Sequence, residues 1–168
     1  MQMQQMQEQL VFGLVSRLDD DDLGAWRAFL TAHAHLTRRI SRDLAEAGLP
    51  DLGWYDLLWA LYRAPGRRLR VNELAREVVL SATAMSRFVD RVERAGHVRR
   101  EADPADRRAL QVALTDSGEA LLREMWPVYE RGIEEHFVAH LGRSGPRLRA
   151  MLQRMSASAT GAGSSASP

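Results

Sequence analysis

The fold is decided by residues 71–115, which read VNELAREVVLSATAMSRFVDRVERAGHVRREADPADRRALQVALT. Apolar residues recur at helical spacing over Val71–Val78 and again over Thr83–Ala95, so the stretch predicts two short helices in succession. Ser81 stands where it can cap the second helix, and Gly96 stands at its C-terminal turn. The first half of the stretch is therefore predicted to form a helix, a turn and a second helix.

A β-hairpin is predicted immediately after the second helix. Val98 and Arg100 alternate before the polar turn Asp103–Asp106, and the apolar residues of 110–114 alternate after it. Two short strands around an arginine-tipped turn complete the order helix, helix, hairpin. That order is typical of a winged helix-turn-helix domain, so the fold class is predicted to be mostly α with a small β-hairpin.

The second helix has two chemically different faces. Its apolar residues fall on one side at i, i+3, i+4 and i+7 and are expected to pack on the core: Met85, Phe88, Val89 and Val92. The opposite face carries short polar and charged residues: Thr83, Arg87, Asp90 and Arg94, flanked by Ser86 and Arg91. Its N-terminal end has small residues that let phosphate approach the free N–H groups: Ser81, Thr83 and Ala84. An amphipathic surface helix is the general alternative, but the neighbouring helix and hairpin favour a helix that enters the major groove of DNA.

The distribution of charge agrees with this interpretation. All 23 basic residues of the 168-residue chain are arginines, and the net charge is only +1. Residues 63–108 hold 12 arginines and 7 acids, a net charge of +5, whereas the remainder holds 11 arginines and 15 acids, a net charge of −4. A basic segment between acidic flanks is typical of a nucleic-acid-binding unit on a separate scaffold, although a solvated charged surface is the ordinary alternative.

Composition excludes several other classes of protein. The chain has no cysteine, which excludes disulfides and thiolate zinc sites. The mean hydropathy of −0.32 and the lack of a long apolar run exclude a membrane span. The N-terminal residues lack the pattern of a secretory signal, so the protein is expected in the cytoplasm.

Amphipathic helices are predicted on both sides of the central domain. Before it, Leu23–Ala47 follows an aspartate run that supplies a cap and favourable charge for the first turn, and Trp54–Tyr62 is mostly apolar. After it, Asp116 and Glu119 resemble a capping box that opens a helix over Ser117–His140. A last helix is predicted over residues 147–155, followed by a Ser-, Ala- and Gly-rich tail expected to be disordered.

Three blocks of the sequence, in this order and at this spacing, resemble the MarR family of bacterial winged-helix regulators. They are VDRVERAGHVRR (Val89–Arg100), DPADRR (Asp103–Arg108) and LTDSG (Leu114–Gly118). A looser resemblance covers about residues 24–156. It implies a homodimer, clasped by its N- and C-terminal helices, that binds a palindromic operator in double-stranded DNA and represses transcription until an effector arrives.

The resemblance also implies roles for particular residues. The helix from Thr83 becomes the recognition helix, Asp106 supports the wing arginine Arg108, and Asp90 stands where the family places an acid that can pair with that arginine. The predicted DNA-binding residues are Ser81, Thr83, Ala84, Ser86, Arg87, Arg91, Arg94, Arg107 and Arg108. One departure is the turn between the two helices, where Val78-Val79-Leu80 replaces the glycine or other flexible residue usual in the family.

The chain is accordingly divided into five segments. These are an N-terminal extension (1–22), an N-terminal dimerisation helix (23–53), the winged helix-turn-helix domain (54–115), C-terminal dimerisation helices (116–155) and a tail (156–168). In the family, the effector pocket lies between the dimerisation helices and the DNA-binding lobe. Four residues are candidates to bind a small aromatic or anionic effector there: Trp26, His33, Trp54 and Tyr55.

Two other functions remain open at this stage. His136 and His140 are spaced i, i+4 on a helix and share a face, which suits a zinc-sensing regulator, although the glutamate of a HExxH motif is missing. A winged helix can also bind another protein, but arginine-rich elements suit phosphate better. No nucleophile triad, phosphate loop or cofactor fingerprint is present, so neither enzymatic activity nor a cofactor is expected.

Overall fold

The computed structural model describes residues 18–103 and 109–160. The helices are α1 (Asp20–Glu46), α2 (Leu52–Arg63), α3 (Val71–Glu77), α4 (Ala82–Arg94), α5 (Asp116–Ile133), α6 (Ala139–Leu141) and α7 (Gly145–Ala159). The strands are β1 (Arg68–Arg70), β2 (Val98–Ala102) and β3 (Leu110–Leu114). The chain divides into two compact units, one through Arg38 and one from Arg39 onward. Among the described helices, none combines the length and apolarity needed to cross a bilayer.

Helix α1 begins three residues before the predicted Leu23. The carboxylate of Asp19 accepts the backbone amide of Asp22 at 2.7 Å, and aspartates occupy the first turn. A cap followed by negative charge stabilises a helix N-terminus through both hydrogen bonding and the helix dipole. The predicted role of the aspartate run as a cap and as first-turn charge is therefore confirmed, with Asp19 as the cap and Asp20–Asp22 inside the helix.

The core of the second unit joins α2–α5 to the sheet. Its fully buried large side chains come from every one of these elements: Leu57, Leu58, Leu61, Leu74, Met85, Val89, Val92, Val98, Val112 and Met125, with Leu44 from α1. The apolar face predicted for the second helix of the domain is confirmed, because all four of its members are buried. This burial determines which side of α4 faces outward.

The small sheet has three antiparallel strands in the order β1-β3-β2. The predicted hairpin is confirmed, with Val98 opposite Leu114 and Ala102 opposite Leu110. Strand β1 is absent from the sequence-based prediction because three residues are too few to show a period of two. It forms because Leu69 pairs with Val112 on the free edge of β3.

The segment Leu114–Gly118 ties α5 to the turn that precedes β2. Thr115 donates its hydroxyl to the carbonyl of Gly96 at 2.8 Å, and its amide bonds to the carbonyl of His97 at 3.2 Å. A Cβ on Gly118 would lie 2.1 Å from that His97 oxygen. A side chain at position 118 is therefore excluded by close packing.

The predicted capping box at the start of α5 is wrong. Thr115, not Asp116, is the cap, and its hydroxyl accepts the amide of Gly118 at 3.0 Å. The carboxylate of Glu119 does not turn back to the cap; it pairs with two arginines, Arg67 and Arg123. With Thr115 as the cap, the third residue of the helix is Gly118, so Glu119 lies one position beyond the site from which a capping-box carboxylate bonds back to the cap.

The C-terminal helices differ from prediction in two ways. The helix expected over Ser117–His140 changes hydrogen-bonding pattern, because one π-helical segment, Glu134–Val138, lies between α5 and α6. Helix α7 continues to Ala159, four residues into the tail expected to be disordered from Ser156. Alanine has the highest helix propensity, so the alternating Ser-Ala segment adds a further turn at little cost. Residues 161–168 lie outside the described residues.

The turn between α3 and α4 contains a residue in an unfavourable conformation. Val79 has φ +56°, the left-handed region that β-branched residues avoid, and its side chain is 87% exposed. The amide of Leu80 nevertheless bonds to the carbonyl of Ala75 at 2.8 Å, so the turn closes as a glycine-containing turn would.

We expect Val79→Gly to raise the free energy of unfolding by about 1 kcal/mol. The substitution removes about 1–3 kcal/mol of backbone strain, offset by the greater entropy of glycine in the unfolded chain. Urea denaturation measures the change. Val78→Gly is the matched control, because Val78 has a negative φ and is half-buried, and it should be destabilising. A Val79→Gly variant no more stable than wild type would show that the turn is unstrained.

Candidate nucleic-acid interface

Helix α4 presents a polar face at the surface of the second unit. The hydroxyl of Ser81 accepts the amide of Ala84 at 3.2 Å, as expected of a cap. Of the residues predicted to touch DNA, Ser86 is half-buried and the others described are exposed: Ser81, Thr83, Ala84, Arg87, Arg91 and Arg94. The remaining N–H groups of the first turn and the small side chains around them leave room for a phosphate.

The three arginines of α4 have different surroundings. Arg87 makes no hydrogen bond or ion pair with any described residue. Arg91 lies over the ring of Phe88, 5.0 Å from its centroid, and Arg94 donates Nε to the carbonyl of Asp90 at 3.1 Å. Arg91 and Arg94 are thus held close to their own helix, whereas the guanidinium of Arg87 is available to a ligand.

The hairpin is attached to α4 by Arg100, a residue that the sequence reasoning did not single out. Its guanidinium donates to Asp90 Oδ1 at 2.6 Å and to Glu93 Oε2, and its backbone amide donates to Glu93 Oε1 at 2.7 Å. The signal was present in the sequence, since Arg100 shares a face of β2 with the buried Val98. The predicted pairing of Asp90 with Arg108 involves a residue outside the described ranges and stays a prediction.

The base of the wing is fixed by an ion pair between a buried aspartate and an exposed arginine. Asp103 is only 3% exposed, and Arg70 donates Nε and Nη2 to its Oδ2 at 2.8 and 2.5 Å. The amide of Asp103 bonds to the carbonyl of Ala109 at 3.0 Å, which closes the loop at its root. The tip, with Asp106, Arg107 and Arg108, lies outside the described residues, so its contacts with DNA remain predictions.

The histidine pair does not form an evident metal site. Nε2 of His136 is buried and lies 3.6 Å from Asp43 Oδ2, beyond hydrogen-bond distance, and His140 is exposed. Residues 18–103 and 109–160 contain no group of three or more histidine, aspartate or glutamate side chains placed to hold a metal ion. The zinc alternative therefore has no supporting geometry in this part of the chain.

A cluster of aromatic rings lies between α2 and α5. Tyr55 is stacked against Trp59 and Trp126, each with ring centroids 6.1 Å away, and meets Tyr129 edge-on at 4.5 Å. Burial, followed by the nearby Tyr129 and Asp56, raises the pKa of Tyr55 to about 12. Its phenol therefore stays neutral at physiological pH.

These rings border a cavity of about 380 Å³. Its lining is mostly aromatic, with one acid and one arginine at the rim: Tyr55, Trp59, Tyr62, Glu119, Leu122, Arg123 and Trp126. A pocket of this size with few polar groups is typical of a small-ligand site. The spacing of Tyr55, Trp59 and Tyr62 at i, i+4 and i+7 was the sequence signal for it.

The four residues predicted for the effector pocket have different environments. Tyr55 lines the cavity, whereas Trp54 packs edge-on against Phe88 of α4 and against His97, at centroid distances of 6.3 and 5.9 Å. Trp26 and His33 are exposed on the N-terminal part of α1. Helix α2 thus borders the cavity through Tyr55 and contacts α4 through the adjacent Trp54.

A two-helix unit with an exposed arginine-bearing second helix and a three-stranded wing defines a winged helix-turn-helix DNA-binding protein. The MarR family model matches residues 47–109. AbsC from Streptomyces coelicolor, a MarR family regulator, is 30% identical with a TM-score of 0.79, over 88% of this chain and 99% of that one. Sco3205 from the same organism was solved in complex with DNA and is 30% identical, with a TM-score of 0.75. The match covers 90% of this chain and 94% of Sco3205.

A third similar structure was solved with a small ligand. It is the MarR family protein Rv2887 from Mycobacterium tuberculosis in complex with p-aminosalicylic acid, 25% identical with a TM-score of 0.59, over 77% of this chain and 96% of that one. The chain belongs to the MarR family and is a DNA-binding transcriptional regulator. The fold class and the family predicted from the sequence are both confirmed.

We expect Arg87 and Arg94 to contribute differently to DNA binding. An arginine free to bond guanine O6 and N7 reads sequence, so Arg87→Ala should cost about 1–3 kcal/mol at one base pair and relax specificity there. Arg94 lies further along the helix and should meet phosphate, so Arg94→Ala should weaken all sequences equally and lower the salt slope by about two in a dimer. Binding to operator, point-mutated operators and random DNA across a salt series measures both effects. Equal losses on every DNA by both variants would contradict the role of Arg87.

Proposed function

We propose that the protein is a homodimeric repressor that binds a palindromic operator and is released by a small aromatic anion. The observation that carries the DNA-binding part is the outward face of α4, where the Arg87 guanidinium has no partner among the described residues. A repressor acting on a bacterial chromosome would work in the cytoplasm. The wing arginines Arg107 and Arg108 are expected to reach the minor groove, where narrow A·T-rich DNA attracts guanidinium groups.

Dimerisation is supported by apolar side chains that remain exposed in one chain. In the N-terminal unit these are Trp26, Phe29 and Leu30, with 57, 45 and 46% of their surfaces exposed. In the second unit, the helices after Met125 expose several more: Trp126, Phe137, Val138, Met151 and Met155. No described residue before Ile40 is buried in the single chain, and helices owe most of their stability to packing. A second copy is the simplest source of that packing.

A two-fold symmetric dimer requires a particular arrangement of half-sites in the DNA. Each protomer presents the same α4 face, so the two half-sites must be inverted repeats whose centres lie about 10–10.5 bp, or a multiple of that, apart. Sequencing genomic fragments captured by the purified protein tests this. Enrichment of inverted repeats at that spacing supports a palindromic operator, and a repressor should lower transcription from promoters that overlap them. Enrichment of single, unpaired half-sites would contradict the proposal.

The effector part of the proposal is supported by the aromatic cavity. A planar ligand can stack on Trp59 or Trp126, and its anionic group can approach Arg123, whose side chain is 74% exposed although it also pairs with Glu119. A second cavity of about 620 Å³ is less suitable for an anion, because two carboxylates, Asp56 and Glu77, line it against one arginine, Arg63. Rv2887 binds p-aminosalicylic acid, a ligand of this chemical class. Through Tyr55 and Trp54, α2 connects this cavity to α4, so a ligand could bias the position of the recognition helix.

We expect the protein to be a dimer at micromolar concentration, with residues 23–47 and 117–155 supplying most of the interface. Light scattering should give about twice the 18.9 kDa chain mass. Trp26→Glu should shift the equilibrium toward monomer, because it places a charge in an apolar interface. Arg76→Glu, a charge change at an exposed position of α3, is the control and should leave the dimer intact. A folded, monodisperse 18.9 kDa wild-type monomer would contradict dimerisation.

We expect p-aminosalicylic acid to quench tryptophan fluorescence and to weaken operator binding. Trp59→Leu should raise the ligand Kd at least tenfold, since it removes a stacking surface, with Arg76→Gln, an exposed α3 residue outside the cavity, as the control. His33→Ala tests the alternative predicted from sequence, in which an anion binds beside His33 and favours its charged form. Release that survives Trp59→Leu but is lost in His33→Ala would assign the effector to His33 instead of the cavity.

A further inference from the structure

The recognition helix carries two carboxylates in addition to its arginines. Asp90 lies on the exposed face that also holds Arg87 and Arg94, and its side chain is 51% exposed. Glu93 is one turn further along, with 32% of its side chain exposed. Negative charge on a helix that approaches DNA is repelled by phosphate, and the repulsion grows as the charge comes closer to the DNA backbone. Something must offset these two charges if α4 is to bind DNA tightly.

Arg100 occupies the position from which both carboxylates can be neutralised. Its guanidinium bonds to Asp90 Oδ1 at 2.6 Å and to Glu93 Oε2, and its side chain is only 24% exposed. Burial acts to lower the pKa of Arg100, but the hydrogen bonds to Asp90 and Glu93 outweigh it and raise the pKa above its ordinary value. The guanidinium therefore stays charged while it faces inward, toward its own helix.

The same residue also fixes the hairpin in space. The backbone amide of Arg100 donates to Glu93 Oε1 at 2.7 Å, so three bonds from one residue join β2 to the last turns of α4. Strand β2 leads directly into the wing, whose root is held separately by Arg70 and Asp103. Loss of the Arg100 side chain would leave the wing rooted but its strand less firmly held against the recognition helix.

We propose that Arg100 is a positioning residue for DNA recognition: it masks the negative charge of Asp90 and Glu93 and holds the wing in register with α4, without itself contacting DNA. This inference rests on DNA binding through α4. It assigns Arg100, which lies outside the predicted set of DNA contacts, a larger effect on affinity than one surface arginine has. The proposal also predicts that the loss of DNA affinity on replacing Arg100 depends on the negative charges of Asp90 and Glu93.

Arg99 provides a matched control on the same strand. Its side chain is 57% exposed and pairs with Glu101, which also accepts a bond from Arg68 at 3.1 Å. Arg99→Gln thus removes one positive charge from the hairpin, while Glu101 keeps Arg68 as a partner. Arg100→Gln removes the same charge but leaves Asp90 and Glu93 without their shared partner.

The experiment compares the Kd for operator DNA, by fluorescence anisotropy across a salt series, for five variants beside wild type. Two are the single variants Arg99→Gln and Arg100→Gln, and the third is the double variant Asp90→Asn/Glu93→Gln. The fourth is the triple variant Arg100→Gln/Asp90→Asn/Glu93→Gln. The fifth is the triple variant Arg100→Gln/Glu124→Gln/Glu130→Gln. The last two variants have the same net charge, but Glu124 and Glu130 are exposed acids of α5. Thermal unfolding of each variant establishes that it is folded.

We expect Arg100→Gln to weaken binding about ten- to a hundredfold and Arg99→Gln by no more than a few-fold. Neutralising Asp90 and Glu93 in the Arg100→Gln background should restore affinity to within about fivefold of wild type, whereas neutralising Glu124 and Glu130 should not. Equal losses in the two single variants, or equal affinities of the two charge-matched variants, would overturn the proposal. Failure of the Asp90/Glu93 changes to rescue Arg100→Gln would overturn the charge-masking role.

The design separates this inference from the proposed function. Saturable, salt-sensitive binding by the wild type tests DNA recognition, whereas the ratios among variants test the role of Arg100. Hydrogen exchange of the Arg100 amide gives a readout without DNA, because Glu93→Ala should speed its exchange if the bond to Glu93 holds the strand. Unchanged exchange in Glu93→Ala would show that β2 is not held there and would overturn the positioning role.

Discussion

Met85, Val89 and Val92 are completely removed from solvent in the core beneath α4, and Phe88 is nearly so. Each such side chain contributes about 1.5–3 kcal/mol when buried. Because successive residues of a helix are rotated by a fixed angle, burying this set fixes the rotation of α4 about its own axis. Arg87, Asp90 and Arg94 then face outward as a geometric consequence. The arrangement of the whole candidate interface depends on that single packing constraint.

Arginine–carboxylate ion pairs hold the strands and the wing in place around α4. Arg100 joins α4 to β2, Arg70 holds the root of the wing at Asp103, and Arg68 shares Glu101 with Arg99 across the sheet. Much of the basic charge between residues 63 and 108 is therefore paired within the domain. Net charge in a segment overstates what is available to DNA, since a paired arginine presents little field at the surface. The distinction between paired and unpaired arginines decides which of them reach a ligand.

Local patterns predicted the elements of the domain closely, and long-range contacts explain the errors. Helix α4 begins at Ala82 and ends at Arg94, one residue from each predicted end, because a serine cap and an apolar period of 3.6 are local signals. Strand β1 was missed because its stability comes from pairing with β3, some 40 residues away. The capping box at Glu119 failed because the cap is Thr115, which leaves Glu119 one position too far along the helix to bond back. Its carboxylate pairs instead with Arg123 one turn along the same helix and with Arg67, whose approach from before β1 no local pattern records.

The sequence by itself determined the fold class, the family, the apolar and polar faces of α4 and the basic character of the central segment. These properties follow from residue spacing, which the chain carries regardless of how it folds. Only the tertiary structure decided that Asp90 and Glu93 share Arg100, that Tyr55 lines a cavity while Trp54 packs against α4, and that Val79 adopts a left-handed turn. The conformation of Val79 follows from closure of the turn by the backbone bond from Leu80 to Ala75. The other two depend on which distant side chains come within hydrogen-bonding or packing distance, and that is set by the three-dimensional path of the chain rather than by its local sequence.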